Sequence, residues 1–146
     1  MNGKTSLTPD ADSKTLKILI VDDSLIMRKN LERNLKILGH EIIGKAEDGQ
    51  QSIDLYQSLN PDLVTMDITM QGLDGIAAVK KIKAIDPETN IIMVTSHGQE
   101  SMVMEALKSG AKGYMLKPVT PDKLKEAIGR IFPELAGMIE EELMDE

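Results

Sequence analysis

The sequence predicts an α/β fold, a doubly wound parallel sheet in three layers, and three observations predict it. Short apolar runs recur five times, at Lys17–Val21, Glu41–Ala46, Leu63–Met66, Asn90–Val94 and Gly113–Leu116. A segment with helical spacing follows each run. The runs are mostly rich in Ile, Val and Leu, as parallel strands covered on both faces are. Five such βα units in 146 residues make one domain.

Residues 1–15 read as a flexible polar N-terminal tail, and the domain is expected at 16–132. After the first run, Ser24 caps a helix whose apolar Met27, Leu31, Leu35 and Leu38 repeat at helical intervals, and Gly39 ends it. The helix between Gln50 and Leu59 has the weakest signal, resting on Ile53, Leu55 and Tyr56. Ile76, Val79 and Ile82 mark the third amphipathic face, stopped near Pro87. Val103, Ala106 and Leu107 mark the fourth, ended by Gly110. Thr120 with Pro121 is a cap and first-turn proline leading into Leu124, Ala127, Ile128 and Ile131. Residues 133–146 form an acidic C-terminal extension whose Leu135, Met138, Ile139 and Leu143 suit an amphipathic helix, although its run of acids favours a solvated tail.

Composition excludes several function classes. There is no cysteine, hence neither a disulfide framework nor a thiolate metal site. A net charge of −7 and no tryptophan argue against nucleic acid or an anionic membrane surface as partner. The N-terminal stretch lacks the apolar core of a secretory signal, and no apolar run is long enough to insert in a membrane. The expected location is cytoplasmic. The ten methionines read mainly as core filler.

Two layouts fit five βα units: a flavodoxin-like strand order 2-1-3-4-5, or half of a larger dinucleotide-binding domain. In either, ligands bind beyond the carboxyl ends of the strands. Those ends carry Asp22-Asp23, Asp67, Thr95-Ser96 and Lys117-Pro118, whereas the second run ends in an ordinary acidic turn, Glu47-Asp48-Gly49. In the order 2-1-3-4-5 the second strand is an edge, and the polar groups of the other four converge. Each residue alone has a plain structural reading as a cap, strand or loop residue. Their convergence on one pocket does not.

Three carboxylates within a few ångströms repel strongly: at an effective dielectric of ~20, two unit charges 4 Å apart cost about 4 kcal/mol. A hard cation relieves that repulsion. Oxygen ligands without histidine or cysteine suit Mg²⁺, and a carboxylate beside Mg²⁺ can attack phosphorus to give an aspartyl phosphate. Lys117 and the Thr95 hydroxyl are placed to bind phosphoryl oxygens.

The sequence resembles the receiver domains of two-component response regulators. The matching stretches are Ile-Leu-Ile-Val-Asp22-Asp23-Ser24, Asp67-Ile-Thr-Met-Gln-Gly-Leu-Asp-Gly75, Val94-Thr95-Ser96 and Gly110-Ala-Lys-Gly-Tyr114-Met-Leu-Lys117-Pro118, in order across about residues 16–131. The resemblance implies a flavodoxin-like fold with five helices and phosphorylation of Asp67 by a histidine kinase. It implies Mg²⁺ held by Asp23, Asp67 and the Thr69 carbonyl, with Asp22 assisting. It also implies catalytic roles for Lys117 and Thr95, a switch through Thr95 and Tyr114, tuning of the phosphoryl lifetime by Thr69 and His97, and a cis Lys117-Pro118 peptide. Two departures stand out: Gln71 where the family usually has proline, and Val119 where phenylalanine is frequent.

No second apolar-periodic unit follows the last helix, so the expectation is a stand-alone, chemotaxis-type (CheY-like) receiver, monomeric or weakly dimeric. It is a phosphoacceptor that assists its own phosphorylation and dephosphorylation rather than an enzyme. Its downstream protein partner is expected on the helix at Glu100–Lys108, the strand at Tyr114 and the last helix. The alternatives are a phosphorelay intermediate and a silent pseudo-receiver. A phosphatase would want a second carboxylate where Thr69 stands. A nucleotide or flavin binder would want a glycine-rich loop where Asp-Asp-Ser-Leu stands.

Overall fold

The computed structural model describes residues 15–96 and 100–135. Five strands and five helices alternate along them: β1 (Lys17–Val21), α1 (Leu25–Ile37), β2 (Glu41–Ala46), α2 (Gly49–Leu59), β3 (Leu63–Met66), α3 (Gly75–Ile85), β4 (Ile91–Thr95), α4 (Glu100–Lys108), β5 (Gly113–Leu116) and α5 (Pro121–Ile131). A sixth, short helical stretch occupies residues 133–135, one more than the expected five. The expected tail at 1–15, apart from Thr15, and the extension beyond Leu135 lie outside the described residues, as does His97.

All strand pairs are parallel, in the order β2-β1-β3-β4-β5. Of the two layouts open from sequence, this is the flavodoxin-like one. The apolar side chains divide by strand alternation. Leu19, Val21, Val64, Met66, Ile91 and Met93 face α2, α3 and α4 together with Ile53, Tyr56, Val79, Ile82 and Ala106. Ile18, Ile20, Leu63, Ile92, Val94 and Met115 face α1 and α5 with Leu31, Leu35, Leu124 and Ile128. The result is three layers with a core on each side of the sheet. Each fully buried aliphatic side chain contributes about 1.5–3 kcal/mol.

The helix starts are capped as the side chains dictate. Ser24 accepts from the Met27 amide, Asp74 from Ala77 and Thr120 from Lys123. Asp48 caps α2 by accepting from Gln51, a signal that starts this helix one residue before the expected Gln50. Gly39, at φ +92°, turns the chain after α1. One expectation needs correction: burial on both faces holds for β1, β3 and β4, but not for the edges. Tyr114 and Leu116 of β5 are exposed, and of β2 only Ala46 is buried. An edge strand has a neighbour on one side only, so its helices cover it less.

Candidate functional site

The register of the sheet assembles the site. Val21 of β1 pairs with Met66 of β3, so the residues that follow them, Asp22 and Asp67, emerge side by side. The Asp67 amide donates to the Val21 carbonyl at 3.0 Å, and the Asp22 amide to the Ala46 carbonyl at 3.0 Å. Thr95 closes β4 opposite Leu116 of β5, and the Lys117 amide donates to the Thr95 carbonyl at 2.8 Å. Four strand ends thus deliver their polar residues to one cleft, lined by Asp22, Asp23, Asp67, Thr69, Thr95 and Lys117.

The charges in it are unequal. One carboxylate oxygen each of Asp22, Asp23 and Asp67 lies within 4.8 Å of the others. Lys117 Nζ donates to Asp22 Oδ2 at 2.9 Å and stands 3.7 Å from Asp67 Oδ1. Asp22 and Asp67 are buried, whereas Asp23 is exposed. Burial, followed by the negative charge of Asp22, pushes the Asp67 carboxyl up from its usual range to about 6. Lys117 and a hydrogen bond from the Thr69 backbone act against that rise. Three carboxylates facing one lysine leave a deficit of positive charge. The donors are oxygens with no histidine or cysteine among them, so a hard divalent cation of the Mg²⁺ kind fits.

Backbone shape matters as much as charge. A Cβ added at Gly75 would sit 2.0 Å from the Asp67 carbonyl oxygen, so a glycine is required where α3 begins beneath the acceptor turn. The Lys117–Pro118 peptide is cis. The motif that contains Gly75 is legible in the sequence but its steric role is not, and Arg28 stands outside every matching stretch. The Arg28 side chain is buried and donates from Nη1 to the Asp22 carbonyl at 2.7 Å. The available signal was an arginine four residues after a helix cap that follows an acidic pair.

Tyr114 is not part of the cleft. Its residue is 47% exposed on β5, beside Leu116 on the same surface. Val119 lines the cleft rim beside Pro118 and is itself buried against the α1–α5 core. Gln71 is exposed in the turn after β3 and is not among the residues that line the cleft. No helix among the described residues is long and apolar enough to cross a membrane.

Comparison with known proteins agrees with this arrangement. The response regulator receiver domain matches residues 18–129. The chemotaxis protein CheY of Bacillus subtilis is 46% identical over 114 residues, covering 78% of this chain and 95% of that protein. CheY of Thermotoga maritima is 43% identical over 115 residues, covering 79% and 96%. Among solved structures, a chain of the CheX–CheY–BeF3–Mg complex from Borrelia burgdorferi superposes with a TM-score of 0.79 at 33% identity, covering 84% of this chain and 94% of that one.

Proposed function

The chain belongs to the response regulator receiver domain family, and on that premise we propose that it is a chemotaxis-type phosphorelay protein whose Asp67 takes a phosphoryl group from a histidine kinase. The observation that carries the reading is the carboxylate trio within 4.8 Å, with Lys117 Nζ 3.7 Å from Asp67. In the transfer, an Asp67 carboxylate oxygen forms a bond to phosphorus as the donor's P–N bond breaks. The donor imidazole leaves with the electron pair of that bond.

Asp22, Asp23 and Asp67, with the Thr69 carbonyl, would hold Mg²⁺, and the complex with Mg recorded for the Borrelia burgdorferi relative supports that assignment. Bound there, the ion supplies neutralisation of the charge on the transferring group. Lys117 turns from Asp22 toward a phosphoryl oxygen, and the Thr95 hydroxyl donates to another. A doubly charged group at this point is a local electrostatic event with a distant readout. Moving the inactive-to-active equilibrium from 1:99 to 99:1 takes about 5.5 kcal/mol of differential interaction. The surface that reads it out is α4–β5–α5, where Met104, Tyr114 and Leu116 are exposed apolar groups. Tyr114 is the reporter on that face. A protein partner docks there, the protein acts in the cytoplasm, and it works as a phosphoacceptor that assists its own phosphorylation and dephosphorylation.

The test is the intact mass after incubation with acetyl phosphate and Mg²⁺. A phosphoryl adduct is expected on the wild type, none on Asp67→Asn, and none when Mg²⁺ is chelated. An adduct that survives Asp67→Asn places the chemistry elsewhere.

A further inference from the structure

The β1–α1 turn carries Asp22 and Asp23, and every polar group of Asp22 is engaged. Its amide donates to the Ala46 carbonyl, its Oδ1 accepts from the Ser24 amide at 2.9 Å, and its Oδ2 accepts from Lys117 at 2.9 Å. Its carbonyl accepts from Arg28 Nη1 at 2.7 Å. Arg28 is only 9% exposed, and among the described residues no carboxylate stands within ion-pair distance of it. A buried arginine is ordinarily paired with a carboxylate. Here the guanidinium donates to a backbone oxygen instead. A hydrogen bond from a charged group to a carbonyl is stronger than a neutral one.

The two cations beside Asp22 therefore differ in what they occupy. Lys117 takes a carboxylate oxygen, and it is the group a phosphoryl oxygen would draw away. Arg28 takes none. We propose that Arg28 is a positioning residue that fixes the β1–α1 turn through the Asp22 carbonyl, so that the Asp22 and Asp23 carboxylates stay aimed at Asp67 whether or not Lys117 is paired with Asp22. Its cationic charge beside Asp22 also offsets part of the acidic excess without itself occupying a carboxylate oxygen. This inference rests on the receiver reading above.

Two readouts test it, one independent of phosphorylation. The first is amide hydrogen exchange by NMR in protein free of Mg²⁺, comparing the Asp22 amide, which donates to β2, with the Asp67 amide, which donates to β1 over the same distance. Arg28→Met keeps the apolar stem and loses the donor. Its Asp22 amide is expected to exchange about tenfold faster with Asp67 unchanged, a ratio worth about 1.4 kcal/mol. The second is the rate constant of phosphorylation by acetyl phosphate at saturating Mg²⁺, expected to fall about tenfold in Arg28→Met and to recover in Arg28→Lys. A folded Arg28→Met within twofold of wild type in both readouts overturns the proposal. So does an equal loss of protection at Asp22 and Asp67, which marks a general core residue. If Arg28→Met does not fold, Arg28→Gln decides by the same Asp22-to-Asp67 ratio. A wild type that takes no phosphoryl group at all defeats the receiver reading, while the exchange ratio still judges Arg28.

Discussion

At the amino end of the sheet His40, Asp62, Asn90 and Lys112 meet partners of the right kind, whereas at the carboxyl end three carboxylates share one lysine. The Leu16 amide donates to His40 Nδ1 at 3.1 Å, and the Lys17 amide to Asp62 Oδ2 at 2.8 Å. Asn90 Nδ2 donates to the Asp62 carbonyl and accepts, through Oδ1, from Lys112 Nζ. Tyr56 donates its hydroxyl to Asp86 at 2.7 Å, which helps hold the Asp86 carboxyl below its usual range. The carboxyl end has Asp22, Asp23 and Asp67 against Lys117, and the Asp67 carboxyl is pushed up to about 6. The same sheet thus spends one end on stability and keeps the other electrostatically unfinished. Unfinished groups are the ones a cation and a phosphoryl group can complete.

The largest way to break this contrast is steric. Gly75→Ala drives a methyl group into the Asp67 carbonyl, whose oxygen would be 2.0 Å away, and the backbone has no side chain to yield. The expected cost is about 3 kcal/mol, read from urea unfolding, with a loss of the phosphoryl adduct as the acceptor turn shifts. Wild-type stability in Gly75→Ala would show that the turn can move without penalty.

A smaller effect has the opposite sign. The Asp67 carboxyl titrates near 6 in the folded protein against 3.8 for a free aspartate, so the folded state binds the proton more tightly. Stability conferred by that proton is complete below about pH 4 and is lost as pH rises through 6. Asp67→Asn is therefore expected to stabilise the metal-free protein by on the order of 1–2 kcal/mol at pH 7.5. The gain shrinks to nothing by pH 4, measured by urea unfolding at each pH. Saturating Mg²⁺ reverses the order by favouring the ionised wild type. A site residue whose removal stabilises the protein is what separates this end of the sheet from the other.

The carboxyl end was legible in sequence because its signal is local. Each of Asp22, Asp67 and Lys117 directly follows an apolar run, and the fold rule for parallel sheets places strand ends together. The choice between the two layouts was not legible without the motif resemblance, since periodicity does not encode strand order. Gly75 and Arg28 escaped for a related reason: their roles depend on which backbone oxygen lies within reach, and that is fixed only once β1, β3 and α1 are packed. The amino-end network was invisible altogether. His40, Asp62 and Asn90 are far apart in sequence and ordinary for turns, and register alone brings them to Leu16, Lys17 and Lys112.

His40 offers the finest test, because it responds to acid in the opposite direction from Asp67. Burial holds its imidazole below the ordinary 6.5, and its Nδ1 must be unprotonated to accept from the Leu16 amide. The unfolded chain binds that proton more readily, so His40 contributes stability above pH 6.5 that is lost as pH falls through its folded value. His40→Ala leaves the Leu16 amide without its acceptor and is expected to cost about 1 kcal/mol at pH 7.5. The cost should shrink toward pH 5, where the wild type is already losing the same bond. Combined with Asp67→Asn, the two substitutions should add, since they lie at opposite ends of the sheet and share no partner. The double variant then loses both opposed pH slopes and unfolds with a flatter pH profile between 4 and 7 than either single variant. A marked departure from additivity would mean that the two ends are coupled through the sheet, and that the stable end is part of the switch rather than its foundation.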